Sequence, residues 1–380
     1  MISALFSVDK RIWIFGLQDH EGIHELKDNS KYLFLEVSNR FRDTVRPIWL
    51  TWSKDLATKL TQRGYEAYYV LSCSALVFAL RAGCFITHTL TGNTIKTVMG
   101  GGKALKLDLW HGIPLKTISF SETTDYVNST SESLRELFAL SRMVEPSRVI
   151  ACGYPRNDIL FKEINGYDIG LEEYLKSLLA LKERAKILLY APTFRDYLRA
   201  RTFEEFFEKV DFEAEKLDDV LKAHNAYLLV KLHHELRSAK LSAQLERMSE
   251  RVYVMNEPVD LNPILRHADV LITDYSSVFF DFLLLDRPIV FYIPDYKEYD
   301  QTRGFSFTYD SMTPGPKARS FEELVGTLNS VLAGEDTFGA QRKKVREYVF
   351  DHCDGNSSER VFTSVMSMLN LPLGEFAQSG

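Results

Sequence analysis

Four stretches of this chain close an apolar, strand-like run on residues able to bind or move charge. The first is Val270-Leu271-Ile272-Thr273-Asp274-Tyr275-Ser276-Ser277, followed by an apolar block from Val278 to Leu285 that fits a buried helix better than another strand. A strand, tight turn and helix in that order offer free backbone N–H groups and the positive end of a helix dipole, with two serine hydroxyls beside them. That is a seat for a phosphate, although Ser276 acting only as a helix cap explains the same residues. Asp281, one turn into the helix, is placed either to reach a ribose hydroxyl or to cap or face solvent. Tyr190-Ala191-Pro192-Thr193-Phe194-Arg195-Asp196 brings Thr193 and Arg195 to the end of a second strand, and Val230-Lys231-Leu232-His233-His234 brings Lys231 and two histidines to a third. Adjacent side chains of an extended segment point to opposite faces, so His233 and His234 do not share a metal and at most one faces a ligand. With Ser276 and Ser277, these groups suit one diphosphate, and Asp274 beside them is expected as a further substrate-binding residue.

The fourth stretch is Leu109-Trp110-His111-Gly112-Ile113-Pro114-Leu115-Lys116. Gly112 and Pro114 fix a turn that holds His111 at a strand tip, where an imidazole serves as a base near neutral pH. A purely structural histidine is the competing explanation.

The elements that must position these residues read as alternating α and β. Strand-length apolar runs fall at Arg11–Phe15, Tyr32–Val37, Pro47–Thr51, Ala67–Leu71, Cys84–His88, Lys106–Trp110 and Val149–Cys152, and again at Lys186–Tyr190, Tyr227–Leu232, Val252–Met255, Val270–Thr273 and Pro288–Tyr292. A helix spans Leu171–Arg184, charged helical faces cover Phe203–Ala223 and Leu236–Arg251, and a capped final helix covers Asn356–Met368. At 380 residues and 45% hydrophobic content the chain holds two domains, expected at 1–165 and 166–380. Ligands of such sheets sit outside the carboxyl ends of the strands, in a cleft.

Composition removes several classes of function. A net charge of −6 gives no general attraction to nucleic acid, so an anionic ligand needs a local basic pocket. Cys73, Cys84, Cys152 and Cys353 have no CxxC spacing, which suits reduced thiols in the cytoplasm and gives zinc no home. Neither a cofactor nor a metal is expected, since no carboxylate cluster has ligand spacing. The N-terminal residues lack signal-peptide features, and Ala67–Thr89 is too interrupted to span a membrane. Asn128-Ser129-Thr130 is expected as helix-start or loop chemistry rather than a glycan site.

Seven ordered stretches make the chain resemble the CDP-glycerol glycerophosphotransferases, which build teichoic acid and related polymers. They are Asp28-Asn29-Ser30-Lys31-Tyr32, the His111 stretch, Gly153-Tyr154-Pro155-Arg156-Asn157-Asp158, the Arg195 stretch, Thr273–Ser277, Arg303-Gly304-Phe305 with Pro314-Gly315-Pro316, and Asp354-Gly355-Asn356-Ser357-Ser358-Glu359-Arg360. The resemblance implies two Rossmann-like domains facing a cleft, as in glycosyltransferase-B enzymes, with the acceptor handled by the first and a CDP-alditol by the second. It also implies His111 as the catalytic base, His233 on the donor phosphates and Ser276 and Ser277 at the donor site; His234 departs from the family, which usually has proline there. CDP-glycerol, a lipid-linked acceptor and peripheral attachment to the cytoplasmic face of the membrane follow from the same resemblance. Trp49, Trp52, Lys54 and Lys59 are candidates for facing lipid headgroups, against simple burial of the tryptophans. Length suggests a primase more than a long-chain polymerase, and a ribitol-phosphate or capsule-polymer transferase, a sugar-nucleotide enzyme of the same fold and a non-catalytic nucleotide-binding scaffold are the rivals.

Overall fold

The computed structural model describes residues 7–17, 26–88, 104–115, 124–193, 214–231, 249–255 and 260–372. These divide into two compact units. The first gathers the described residues up to Gly112, those from Thr124 to Gly170 and those from Val349 onward; the second gathers Ile113–Leu115 and Leu171–Tyr348. The C-terminal stretch from Val349 was expected with the second domain, and it packs instead with the first.

Seven strands build the first unit: β1 (Asp9–Gly16), β2 (Arg46–Thr51), β3 (Ala67–Tyr69), β4 (Ala82–Thr87), β5 (Leu105–Asp108), β6 (Tyr126–Ser129) and β7 (Val149–Ala151). They form one sheet in the order β3-β2-β1-β4-β5-β6-β7, and every pairing is parallel. This is the doubly wound order, whose direction of winding reverses between β1 and β4. Ile12, Ile14, Ile48, Leu50 and Phe85 are buried on the sheet because helices cover it, which is why these strands read as unbroken apolar runs.

Tyr32–Val37, expected as a strand, lies inside the helix Asp28–Arg40. Every residue from Asn29 to Val37 in that helix is buried, so the run shows no polar face, and periodicity alone does not separate such a helix from a buried strand. The opposite error occurs at Asn128-Ser129-Thr130, where Asn128 and Ser129 are buried in β6 rather than in a loop or helix start. Asn128 is polar for a reason: its amide donates to the Gly153 carbonyl at 2.7 Å and its oxygen accepts from Cys152 N–H at 3.3 Å, tying two strand ends together.

The second unit has β8 (Lys186–Tyr190), β9 (Ala226–Val230), β10 (Val252–Val254), β11 (Val270–Thr273), β12 (Ile289–Tyr292) and β13 (Lys317–Ala318). Their order is β10-β9-β8-β11-β12-β13, again parallel throughout, so the winding reverses between β8 and β11. Leu188, Ile272 and Val290 meet Leu221, Leu324 and Leu328 in its core. Gly315 lets the backbones close up there, since a Cβ at that position would lie 2.0 Å from the Ile289 carbonyl oxygen.

The final helix, Ser357–Met368, begins on a cap that comes from elsewhere in the chain. Asn356 makes no side-chain cap; instead the buried Asp158 carboxylate accepts from Ser357 N–H at 2.9 Å and Ser358 N–H at 2.8 Å. Phe362 stacks on Phe41 at 4.0 Å, and Gly153 leaves no room for a side chain beside Ser357. Two of the ordered sequence stretches therefore exist to fit one another. Among the described residues no helix is long and apolar enough to cross a membrane, and no group of three or more His, Cys, Asp or Glu side chains could hold a metal ion. Trp49 is buried against Phe34, which removes it from any headgroup-facing surface.

Candidate active site

In the first unit the loop after β5 carries His111, and three separate segments hold it. Asp108, at the end of β5, is fully buried, pairs with Arg142 at 2.6 Å and accepts from Trp110 N–H at 2.8 Å. The Arg142 guanidinium lies 4.7 Å from the centre of the Trp110 ring, and Trp110 takes a left-handed backbone with φ of 59°. From the helix after β1, Asn29 donates its amide to the Trp110 carbonyl at 2.8 Å and to the Leu109 carbonyl at 3.4 Å. From the turn after β7, Arg156 donates to the His111 carbonyl at 2.7 Å and to Asp28 Oδ1 at 2.9 Å, while its own N–H donates to Asn29 Oδ1 at 3.1 Å.

The imidazole of His111 is only partly exposed and lies against Trp110, with ring centres 4.3 Å apart. Burial drives its pKa below the ordinary histidine value; Asp28 opposes that, Arg156 and Arg142 reinforce it, and a hydrogen bond to the His88 backbone opposes it again. The net fall leaves His111 neutral at pH 7, with a lone pair able to take a proton. His88, at the end of β4, is buried and shares a 2.6 Å hydrogen bond between Nδ1 and Ser30 Oγ. Burial takes its pKa down to about 4. Asp28 sits between burial, which raises its pKa, and Arg156, His88 and His111, which together bring it below the ordinary carboxylate value. Asp28 and His88 follow β1 and β4, the two strands between which the winding reverses, where ligands of doubly wound sheets bind.

The second unit repeats that arrangement between β8 and β11. Thr193 N–H donates to both oxygens of Asp274, at 2.9 and 3.0 Å, and Tyr275 N–H donates to Asp274 Oδ1 at 2.5 Å. Thr273 Oγ1 donates to the Ala191 carbonyl at 2.8 Å, and Tyr309 donates its hydroxyl to the Asp274 carbonyl at 2.8 Å. Tyr275 stacks on Tyr299 at 3.8 Å and is fully buried. Thr193 and Asp274, expected to touch substrate, are thus joined to each other, and the Asp274 carboxylate holds the two strand ends in register.

Ser276 and Ser277 stay partly exposed at the turn. The helix Val278–Leu283 starts without a side-chain cap from Ser277, and Ser276 Oγ is 3.5 Å from Val278 N, a weak capping distance. Both hydroxyls are therefore poorly explained as caps alone. Asp281 is 3% exposed, which removes the solvent-facing alternative. Lys231 directly follows β9, with its N–H bonded to the Tyr190 carbonyl at 2.9 Å, next to the strand that leads to Thr193. Arg195, His233 and His234 lie outside the described residues. Asp28, Asn29, His88, Arg156 and Asp158 were given no role from sequence; the only signal for all but His88 was membership of the seven ordered stretches.

The family profile of CDP-Glycerol:Poly(glycerophosphate) glycerophosphotransferase matches residues 2–367. The chain belongs to this family. Relatives of this glycerophosphotransferase-family chain include a teichoic acid poly(glycerol phosphate) polymerase of Bacillus spizizenii, 32% identical over 248 residues that cover 58% of this chain and 59% of the relative. The teichoic acid ribitol-phosphate polymerase TarL of Staphylococcus aureus is 29% identical, covering 67% of this chain and 46% of TarL. The chain thus spans about half the length of the curated relatives it matches first. A teichoic acid ribitol-phosphate primase of Bacillus spizizenii is 28% identical, covering 67% of this chain and 62% of the primase. Among solved structures, the wall teichoic acid polymerase TagF superposes with a TM-score of 0.74 at 21% identity, covering 96% of this chain and 90% of that one. That likeness establishes the fold, two Rossmann-like α/β units of the glycosyltransferase-B kind.

Proposed function

We propose that this chain transfers glycerol phosphate from CDP-glycerol to a hydroxyl of a lipid-linked acceptor, in the synthesis of teichoic acid or a related polymer. The observation that carries this reading is His111 fixed at a strand end by Asn29 and Arg156, in a chain of this family. His111 takes the proton of the acceptor hydroxyl while that oxygen forms a bond to the phosphorus bearing glycerol. The P–O bond to the CMP phosphate breaks, and its electron pair leaves with CMP. Negative charge grows on the phosphoryl oxygens, which calls for fixed cations and N–H or O–H donors. Lys231 and the Ser276–Ser277 turn, which follows the Asp274 contacts to Thr193 and Tyr275, supply them, together with Arg195 and His233, whose part is taken from the sequence motifs alone. Attachment is peripheral, at the cytoplasmic face of the membrane where a lipid-linked acceptor presents its hydroxyl.

A ribitol donor is the second reading, favoured by the ribitol-phosphate enzymes among the relatives. Incubation with CDP-glycerol or CDP-ribitol and a lipid-linked acceptor, with CMP release followed over time, separates the two. Product length in the same assay distinguishes a primase, which stops after the first unit, from a polymerase. Tight donor binding with no CMP release from either donor would leave only a nucleotide-binding scaffold.

A further inference from the structure

Two features beside His111 are not needed to explain a base alone. Asp28 opens its helix with a left-handed backbone, φ 59°, a conformation unfavourable for a residue with a side chain, and Trp110 does the same immediately before His111. Both are held there by side-chain hydrogen bonds: Asn29 N–H donates to Asp28 Oδ1 at 2.7 Å, and Trp110 N–H donates to Asp108. The Arg156 guanidinium then ties Asp28 to the backbone of His111. Arg156 is itself placed by a turn, Pro155–Leu160, whose Asp158 is bound to the final helix.

We infer that Asp28 and Arg156 are positioning residues for His111, Arg156 fixing the loop that carries the imidazole and Asp28 supplying the countercharge when the imidazole takes up a proton. The inference rests on His111 being the base. Among the described residues, the charged and titratable groups acting on His111 include Asp28 from the segment after β1, Arg156 from the turn after β7, Arg142 from the helix after β6 and His88 after β4. Arg142 is committed to Asp108, and His88 is neutral at pH 7. Asp28 is therefore the carboxylate that favours an imidazolium at this position, and Arg156 limits how basic the ring becomes.

The test uses the full chain and reads two quantities, the NMR titration of the His111 ring and the pH dependence of CMP release from CDP-glycerol. Assignment comes from the signal lost in His111→Asn. In Asp28→Asn the ring should titrate at lower pH and the acid limb of kcat/KM should move the same way, with kcat at pH 7 down about 10-fold or more and KM for CDP-glycerol unchanged. In Arg156→Gln both should move to higher pH. Arg156→Lys keeps the charge but ends one bond short of the Nη1 that meets both Asp28 and the His111 carbonyl, so the titration stays near wild type while kcat falls roughly 10²-fold. Asp28→Glu should restore the titration, and serves if Asp28→Asn does not fold. Shifts of the same sign in Asp28→Asn and Arg156→Gln, or a wild-type kcat in Arg156→Lys, overturn the inference. If the ring titrations move as stated while the kinetic limb stays still, His111 is not the base, and the positioning role falls with that assignment although the electrostatic coupling stands.

Discussion

His88 makes folding stability depend on pH in a way that can be calculated. Unfolded, its imidazole binds a proton near pH 6.5; folded, burial delays that to about 4. Between those values the unfolded chain binds more protons, so the stability contribution is fully present above 6.5 and is lost as pH falls toward 4. With these two values the loss is about 2 kcal/mol between pH 7 and pH 5, and about 3 kcal/mol by pH 4. His88 is almost completely buried, so solvent screening takes little from that figure. The perturbation is His88→Gln, which removes the titration. Urea denaturation of both proteins at pH 7 and pH 5 gives the difference in slope, in which the other titrating groups, His111 included, largely cancel. The variant starts less stable at pH 7 because the bond to Ser30 is lost, yet should lose about 2 kcal/mol less than wild type on going to pH 5. Parallel losses in the two proteins would show that His88 protonates freely in the folded state, and the burial argument would be wrong.

Two further predictions concern the supports of each unit. Asp158→Ala leaves two buried N–H groups of the final helix without their charged acceptor and should cost about 3 kcal/mol, read as a lower urea midpoint; an unchanged midpoint would mean the helix is capped in another way. Gly315→Ala places a methyl group against the Ile289 carbonyl and should cost about 1–3 kcal/mol, seen as a lower melting temperature, with no effect expected if β12 can shift freely.

How much of this could be read from sequence depended on where the controlling contacts lie along the chain. The strands of the second unit were legible because Lys186–Tyr190 and Val270–Thr273 are short apolar runs closed by turn residues, and the structure returns them with the same bounds. The helix Asp28–Arg40 was not, because burial on all sides erased its polar face. β6 was not, because Asn128 spends its polarity on tying strands together and Ser129 donates its hydroxyl to the Ser131 carbonyl just past the strand end. His111 could be placed at a strand tip from Gly112 and Pro114. Its clamp could not, since Asp28 and Arg156 come from opposite sides of it in sequence and meet only when the sheet order brings the ends of β1, β5 and β7 to one edge. Asp274 shows the converse: its type and position suggested a ligand-binding carboxylate, and only the geometry reveals both oxygens engaged with Thr193 and Tyr275 N–H groups.

The central claim is that His111 takes the acceptor's proton. Its most direct measurement is CMP release by His111→Ala from CDP-glycerol with a lipid-linked acceptor, beside the Kd for CDP-glycerol measured on the same protein by calorimetry. Loss of a general base predicts turnover down roughly 10²–10⁴-fold with Kd within about threefold of wild type. Turnover at the wild-type rate would contradict it.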